Sequence, residues 1–308
     1  MTKIKFLKIV LCTVLWIAVF DIGMKYGMHH YLSRCRIQGD YKKIDYMFKH
    51  VNAQILMLGA STCMNSINPE TIEKELSKSV FNGGINDQRL EFFDVMTDAI
   101  FRYSSPELLI LVLRQDDLTI HGDGRLSMMN IYYHCGNAKL DGYLDDGSFR
   151  KQILLNSALY RLNTFWWRIL LYHFKSFDEL AHGGFVGKPV PGILPNCTDA
   201  IAGKGPVSVN ERKIQCLNHI VATCRKKGTR LWILITPEYY HFTDETRSGE
   251  LRLIQDFCAK NDIPFIDDTR HPDFINHPEY FYDNNHLNVN GAELYTRHVL
   301  DLLKKEGL

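Results

Sequence analysis

The 308-residue chain has almost no excess of charge of either sign: 36 Lys and Arg stand against 35 Asp and Glu, a formal net charge of +1. Its basic residues are dispersed. No stretch interleaves Arg or Lys with aromatics as a nucleic-acid surface does, so no nucleic-acid partner is expected. Cys-x-x-Cys is also missing. The cysteines stand scattered at Cys12, Cys35, Cys63, Cys135, Cys197, Cys216, Cys224 and Cys258, a spacing that disfavours zinc. The histidines show no ligand spacing. His241 after a strand end, and His271 after Asp267-Asp268, are the ones placed to approach a sheet rim. No metal and no cofactor is expected. Internal repeats and low-complexity tracts are absent, which leaves one large domain or two small ones and ample chain for a core.

What is present begins at the N-terminus. Lys3, Lys5 and Lys8 precede an apolar run from Ile9 to Phe20; Asp21 interrupts it and Ile22-Gly23-Met24 continues it. Positive residues followed by an apolar core are the layout of an export signal. The run ends in Val19-Phe20-Asp21-Ile22, without small residues for cleavage, and Ile9-Val10-Leu11 before Cys12 lacks the small residue of a lipoprotein site. The expectation is an uncleaved anchor within residues 1–25, spanning from Phe6 to Met24 with Lys8 snorkelling at one face and Asp21 near the other. A juxtamembrane helical segment at 26–50 follows. Lys25, Arg34, Arg36, Lys42 and Lys43 compete with the N-terminal lysines for the inside position; the short basic N-terminus is placed inside and the domain outside. The chain is thus expected to be a single-pass membrane protein with an extracytoplasmic domain. The odd number of cysteines beyond the anchor argues against an oxidising compartment. A Cys135–Cys197 bridge is compatible with the sequence, whereas Cys216 and Cys224, two helical turns apart, are too distant to bond.

Strand-like apolar runs at 54–58, 80–81, 107–113, 229–235 and 264–267 alternate with helical patterns at 71–77, 90–103, 210–227, 248–261 and 291–305. Asn68-Pro69-Glu70 is a good helix start. The alternation predicts an α/β fold over 51–308: three layers, α/β/α, around a mostly parallel, flavodoxin-like sheet. The segment from about 119 to 206, rich in Gly, Tyr and Trp and holding the aromatic run at 165–172, breaks the rhythm and reads as an inserted cap that shapes a substrate site. Ser61, Gly84, Gln115 and Pro237 all lie just past strand ends. They should share one rim, where such sheets place ligands.

Two short segments carry the chemistry. Ile55-Leu56-Met57-Leu58-Gly59-Ala60-Ser61-Thr62 is a strand that stops at a Gly and delivers a Ser onto a turn. Phe281-Tyr282-Asp283-Asn284-Asn285-His286-Leu287-Asn288 sets an Asp and a His three positions apart before the last helix. Alcohol, base and carboxylate are the parts of a nucleophilic triad: Ser61 to attack, His286 to take its proton, Asp283 to orient His286. Thr62 and Cys63 adjoin the Ser; Cys63 reads as a small packed residue. Arg114 reads as an ion-pair partner of Asp116 or Asp117.

At these residues the chain resembles the SGNH (GDSL-type) hydrolase superfamily, whose nucleophile follows the first strand in a Gly-Asp-Ser-like block and whose Asp-x-x-His comes late. Gly59-Ala60-Ser61 matches the first block, with Ala60 where Asp is usual, and Asp283 and His286 match the last. The run 281–296 looks most like membrane-linked SGNH proteins of bacterial surface-polymer acylation, such as those of alginate O-acetylation and teichoic-acid D-alanylation. The resemblance covers about residue 54 to the C-terminus, poorly in the middle. It implies a serine esterase or O-acyltransferase acting on acyl esters of a cell-surface glycan or polymer, with the amides of Ser61 and Gly84 holding the oxyanion and Gly83 as fallback. The family's third-block Asn is missing from Leu113-Arg114-Gln115-Asp116-Asp117, so Gln115, or alternatively Asn86, would supply that donor. The same departure supports the alternative of a non-catalytic accessory protein that assists a multi-pass membrane acyltransferase.

Overall fold

The computed structural model describes residues 2–34, 39–120, 122–163, 171, 180–190, 208–239 and 244–308. The chain divides into two compact units, Met1–Gly39 with Ser127–Phe177, and Asp40–Leu126 with Asp178–Leu308.

The larger unit is built on strands β1 (Ile55–Gly59), β2 (Val80–Asn82), β3 (Leu108–Val112), β4 (Arg230–Ile235) and β5 (Phe265–Asp267). They form one parallel sheet in the order β2-β1-β3-β4-β5, with Ile55 beside both Val80 and Leu108, and Leu108 beside Arg230. Every residue of β1 and β3 is buried, as expected of parallel strands covered on both faces. The order is the flavodoxin-like one. The chain leaves β1 toward β2 and returns to the other side at β3, so the end of β1 lies at the point where the winding reverses.

Period-two alternation sorts the strand residues between two faces. Ile55, Met57, Ile110 and Leu234 join a core with Cys63, Ile72, Tyr295 and Val299, contributed by helices α3 (Ser61–Ser66), α4 (Pro69–Leu76) and the closing helix Val289–Lys305. Leu56, Leu58, Leu109 and Ile233 are equally buried on the alternate positions. Helix α2 (Asp40–Lys49) packs on α5 (Leu90–Ile100), and α5 on the helix Glu211–Lys227.

Local chemistry sets the boundaries. Asn68 caps α4 by accepting from the Glu70 amide, with Pro69 in the first turn. Asn210 caps Glu211–Lys227, which stops at Gly228 with φ 69°. The closing helix starts two residues before the expected Gly291, because the Asn288 side chain accepts from the Asn290 and Gly291 amides. The helix before β5, Asp244–Asn261, likewise begins ahead of the expected residue 248.

Between α5 and Glu211–Lys227 lies an ion pair that hydropathy did not reveal. Lys213 Nζ and Glu91 Oε2 are 2.5 Å apart, both essentially without solvent. Lys213 also donates to the Gly122 carbonyl at 2.9 Å, and Arg212 Nε approaches the other Glu91 oxygen at 3.3 Å.

In the smaller unit, α1 (Lys3–Arg34) is followed, after the excursion through β3, by the 3-10 turn that runs on from Leu126 to Tyr132 and by helices α6 (Ala138–Leu144), α7 (Phe149–Asn156) and α8 (Ala158–Leu162); Leu126 itself belongs to the larger unit. The stretch Lys3–Gly27 has a mean hydropathy of 2.1 and none of its apolar window is buried, so it is long and apolar enough to cross a membrane. Asp21, the charge that interrupts the run, has a partner: its Oδ1 accepts from Ser157 Oγ and from the Leu159 amide, each at 2.8 Å. It therefore completes the N-terminus of α8, where a carboxylate is favoured by the helix dipole. The expected helical segment 26–50 is the end of α1 followed by α2, with 35–38 between them outside the described residues. Most of the aromatic run at 165–172 and Cys197, hence the suggested Cys135–Cys197 bridge, also fall outside them.

Replacing Lys213 by Met strands the Glu91 carboxylate in the core. Unfolding free energy is expected to fall by about 3 kcal/mol in a denaturant titration, and adding Glu91→Leu should restore most of it. Unchanged stability in the single variant would contradict a desolvated pair.

Candidate active site

The site starts where β1 ends. A Cβ on Gly59 would lie 2.5 Å from Cys63 Cβ and 2.7 Å from the Val112 carbonyl oxygen, so only glycine lets the chain turn this tightly against β3. Ala60 takes the N-cap position of α3 and offers no side-chain acceptor. The turn is closed by the Met64 amide donating to the Ala60 carbonyl at 3.1 Å. Ser61 is thus the first residue of the helix, and among the described residues nothing accepts its N–H.

The opposing loop is equally determined. Phe281 and Leu287 pair as an isolated antiparallel bridge, and the Tyr282 amide donates to the His286 carbonyl at 2.8 Å. Asp283 Oδ1 accepts from the Asn285 and His286 amides at 2.9 and 3.0 Å. The Asn288 side chain ties the loop's base to the carbonyls of Glu279 and Phe281.

This loop delivers His286 to Ser61. His286 Nε2 lies 2.7 Å from Ser61 Oγ, and Nδ1 lies 2.8 and 2.9 Å from the two Asp283 oxygens. An ionised carboxylate only accepts, so Nδ1 carries the proton and Nε2 is left to accept from the Ser61 hydroxyl. Burial pushes the Asp283 carboxyl up. The His286 ring and the Asn285 and His286 amides outweigh that and hold it below the usual carboxylate range, so it is charged at neutral pH.

The expected oxyanion donors are placed differently. The Gly84 N–H donates to Asn82 Oδ1 at 2.9 Å, the Gly83 N–H to the Met57 carbonyl at 2.8 Å and the Ile85 N–H to the Gly59 carbonyl at 3.0 Å. Gly84 and its fallback Gly83 therefore present no open amide. The reason is that the loop after β2 keeps bonding to β1 and to its own Asn82. Gly84 serves a close approach instead: a Cβ there would meet the Met64 nitrogen at 2.5 Å. Gln115 is also engaged, its Nε2 donating to Glu238 Oε2 at 2.6 Å, with both side chains buried. Asn86, on the turn after Ile85, is half-buried, and its side chain has no partner among the described residues.

Other residues singled out in the sequence have plain surroundings. Arg114 pairs with Asp116 at 3.3 Å, while Asp117 accepts the Arg114 amide and binds Arg89. Cys63 is buried, its thiol pushed up to about 12 by desolvation. Asp268, His271 and His298 bring ligand atoms within 4.8 Å of one another and are the described residues that could hold a cation; Asp268 Oδ2 already accepts from Tyr295 at 2.8 Å. His241 lies outside the described residues.

Three residues near the site gave no local sequence signal. Asn82 donates to the carbonyls of Cys63 and Ile67 at 2.8 and 2.9 Å, joining β2 to α3. Lys43, fully buried, donates to the carbonyls of Gly84 and Gly184 at 2.6 and 2.7 Å. Lys188 lies in a segment held by Asn65 and Met64 of α3, and its Nζ sits 5.4 Å from the centre of the Tyr282 ring, beside Asp283. A lysine buried by design is not distinguishable in sequence from a surface one.

No family model matches the chain, and no curated protein matches it. Among solved structures, one described as a proposed platelet activating factor from Streptococcus pneumonia is 12% identical, with 96% of this chain and 98% of that one covered and a TM-score of 0.45. Another, a proposed acylhydrolase from Bacteroides fragilis, is 11% identical over 82% of this chain and 86% of its own, with a TM-score of 0.40.

Two outcomes follow from the site's electrostatics. A carboxylate with a lowered folded pKa adds stability that is present above its unfolded pKa and is lost as pH falls through the folded value. The gap in Tm between wild type and Asp283→Asn should therefore be widest at neutral pH and close on acidification through the carboxylate range; a gap independent of pH would contradict an ionised, paired Asp283. Cys63, held as a thiol, should resist iodoacetamide in the native protein at neutral pH. Its rapid alkylation under those conditions, read by peptide mass, would show that the site is not packed as described.

Proposed function

We propose that this protein is an SGNH-like serine hydrolase or O-acyltransferase, anchored in the membrane by α1 with the larger unit on the extracytoplasmic side. Its substrates are acyl esters of a cell-surface glycan or related polymer. The observation that carries the chemistry is the continuous hydrogen-bond chain Ser61–His286–Asp283. The polymer substrate and the orientation rest on the anchor and on the motif resemblance.

In this reading Ser61 Oγ attacks the acyl carbonyl while His286 Nε2 takes its proton. The Ser61 N–H stabilises the resulting oxyanion, and Asn86, rather than Gly84 or Gln115, supplies the second donor. Collapse of the intermediate breaks the ester bond, and His286 returns the proton to the departing alcohol. The acyl group is then on Ser61. His286 next deprotonates water, or an acceptor hydroxyl, whose attack frees Ser61. Asp283 keeps His286 in the one tautomer that can do this and balances its charge when protonated. The cycle requires no cofactor.

A second reading is favoured by the committed amides of residues 83–85 and by the Gln115–Glu238 bond. A hole reduced to Ser61 and Asn86 suits a protein that keeps the fold and assists a multi-pass membrane acyltransferase.

Steady-state hydrolysis of a small acyl ester separates the possibilities. Asn86→Ala is expected to lower kcat by roughly 10²-fold with KM little changed, since such a donor acts where charge develops. Gln115→Ala should reduce stability and leave kcat near wild type. The reverse pattern would move the donor to Gln115, and no hydrolysis by the wild type would favour the accessory reading.

A further inference from the structure

The smaller unit holds a cavity of about 560 Å³ whose lining includes Lys25, Tyr26, Tyr133, His134, Leu155 and Arg161. Its position follows from α1. Lys25 and Tyr26 are the last turn of the apolar stretch Lys3–Gly27, which places the cavity at headgroup depth if that stretch spans the bilayer. Tyrosine is favoured at that depth.

Its charge points to an anion. Neither Lys25 nor Arg161 has a carboxylate partner among the described residues. Arg161 donates through Nη1 to the Tyr133 carbonyl at 3.3 Å, while its Nε is buried without a partner. The rest of the lining joins the apolar side chains of Ile131, Leu155, Ala158 and Leu162 to Cys135 and Asn156.

A second observation sets the same region against lipid. Asp21 caps α8 one turn before Lys25, so α7 and α8 lie beside the final turns of the apolar stretch. On α7, Phe149 and Ile153 are 80% and 54% exposed. They are one turn apart on a single face and share a shallower hollow with Asp21 and Ser157. Two large apolar side chains exposed beside a span suit insertion into the interface.

We propose that this cavity binds the headgroup of an anionic phospholipid, with Lys25 and Arg161 on the phosphate and the apolar wall against the start of an acyl chain. The inference rests on α1 spanning the membrane. The α7–α8 pair is then an interfacial element docked on the anchor through Asp21.

The test uses the full-length protein in phosphatidylcholine vesicles with about one-fifth phosphatidylglycerol. Native mass spectrometry after gentle extraction should show phosphatidylglycerol retained in preference to phosphatidylcholine. Lys25→Gln with Arg161→Gln should cut that retention by roughly tenfold, whereas the charge-keeping pair Lys25→Arg with Arg161→Lys should preserve it. Equal retention of both lipids, or undiminished retention in the neutral pair, would overturn the inference. An alkaline carbonate wash distinguishes the two levels. Wild type that resists the wash yet shows no lipid preference overturns the headgroup site alone; wild type released by the wash overturns the span and the site together.

Discussion

The close approach of α3 to the ends of β1 and β2 is the constraint on which the site depends. Gly59 and Gly84 each leave no room for a Cβ against that short helix. Asn82 binds the helix's Cys63 carbonyl and the Ile67 carbonyl just beyond it. These contacts hold Ser61 at the first helical position, with its hydroxyl toward the Asp283–His286 loop. Beside them, the backbone donors of residues 83–85 are taken up by the Met57 and Gly59 carbonyls of β1 and by the Asn82 side-chain oxygen. One packing arrangement thus sets the Ser61 hydroxyl against His286 and leaves the glycine amides of the neighbouring loop occupied.

Among the described residues of the larger unit, the buried cations are each met by carbonyls or by opposite charge: Lys43 by two glycine carbonyls, Lys213 by Glu91, Arg89 by Asp117. Breaking such an arrangement on one side leaves an uncompensated charge, and that cost is larger than the arrangement's own net contribution. Lys43 is notable for its location, since the carbonyl it holds belongs to the same Gly84 that packs on α3. Within the smaller unit the Asp21 carboxylate is met differently, by a hydroxyl and an amide at the start of α8.

Much of this was legible in the sequence, and the rest was hidden for identifiable reasons. The strands could be read because a parallel strand buried on both faces is a continuous apolar run, as in Leu108–Val112. Ser61 could be set on the sheet's rim because it follows a strand end and a glycine, and its pairing with the late Asp283-x-x-His286 came with the motif resemblance. The donors could not be assigned. Whether the Gly84 amide is open depends on where the Asn82 side chain folds, and whether Gln115 is available depends on Glu238, more than a hundred residues away. Asp21 looked like a blemish in an apolar run because its partners, Ser157 and Leu159, come from the far side of the larger unit's first half in sequence.

The central claim is that Ser61 is a nucleophile activated by His286, and covalent trapping tests it most directly. Full-length protein treated with a fluorophosphonate is expected to gain a single adduct, mapped by peptide mass to Ser61, and His286→Ala should slow its formation by a factor on the order of 10³. Trapping at another serine, or at Ser61 with equal speed when His286 is gone, would contradict the account.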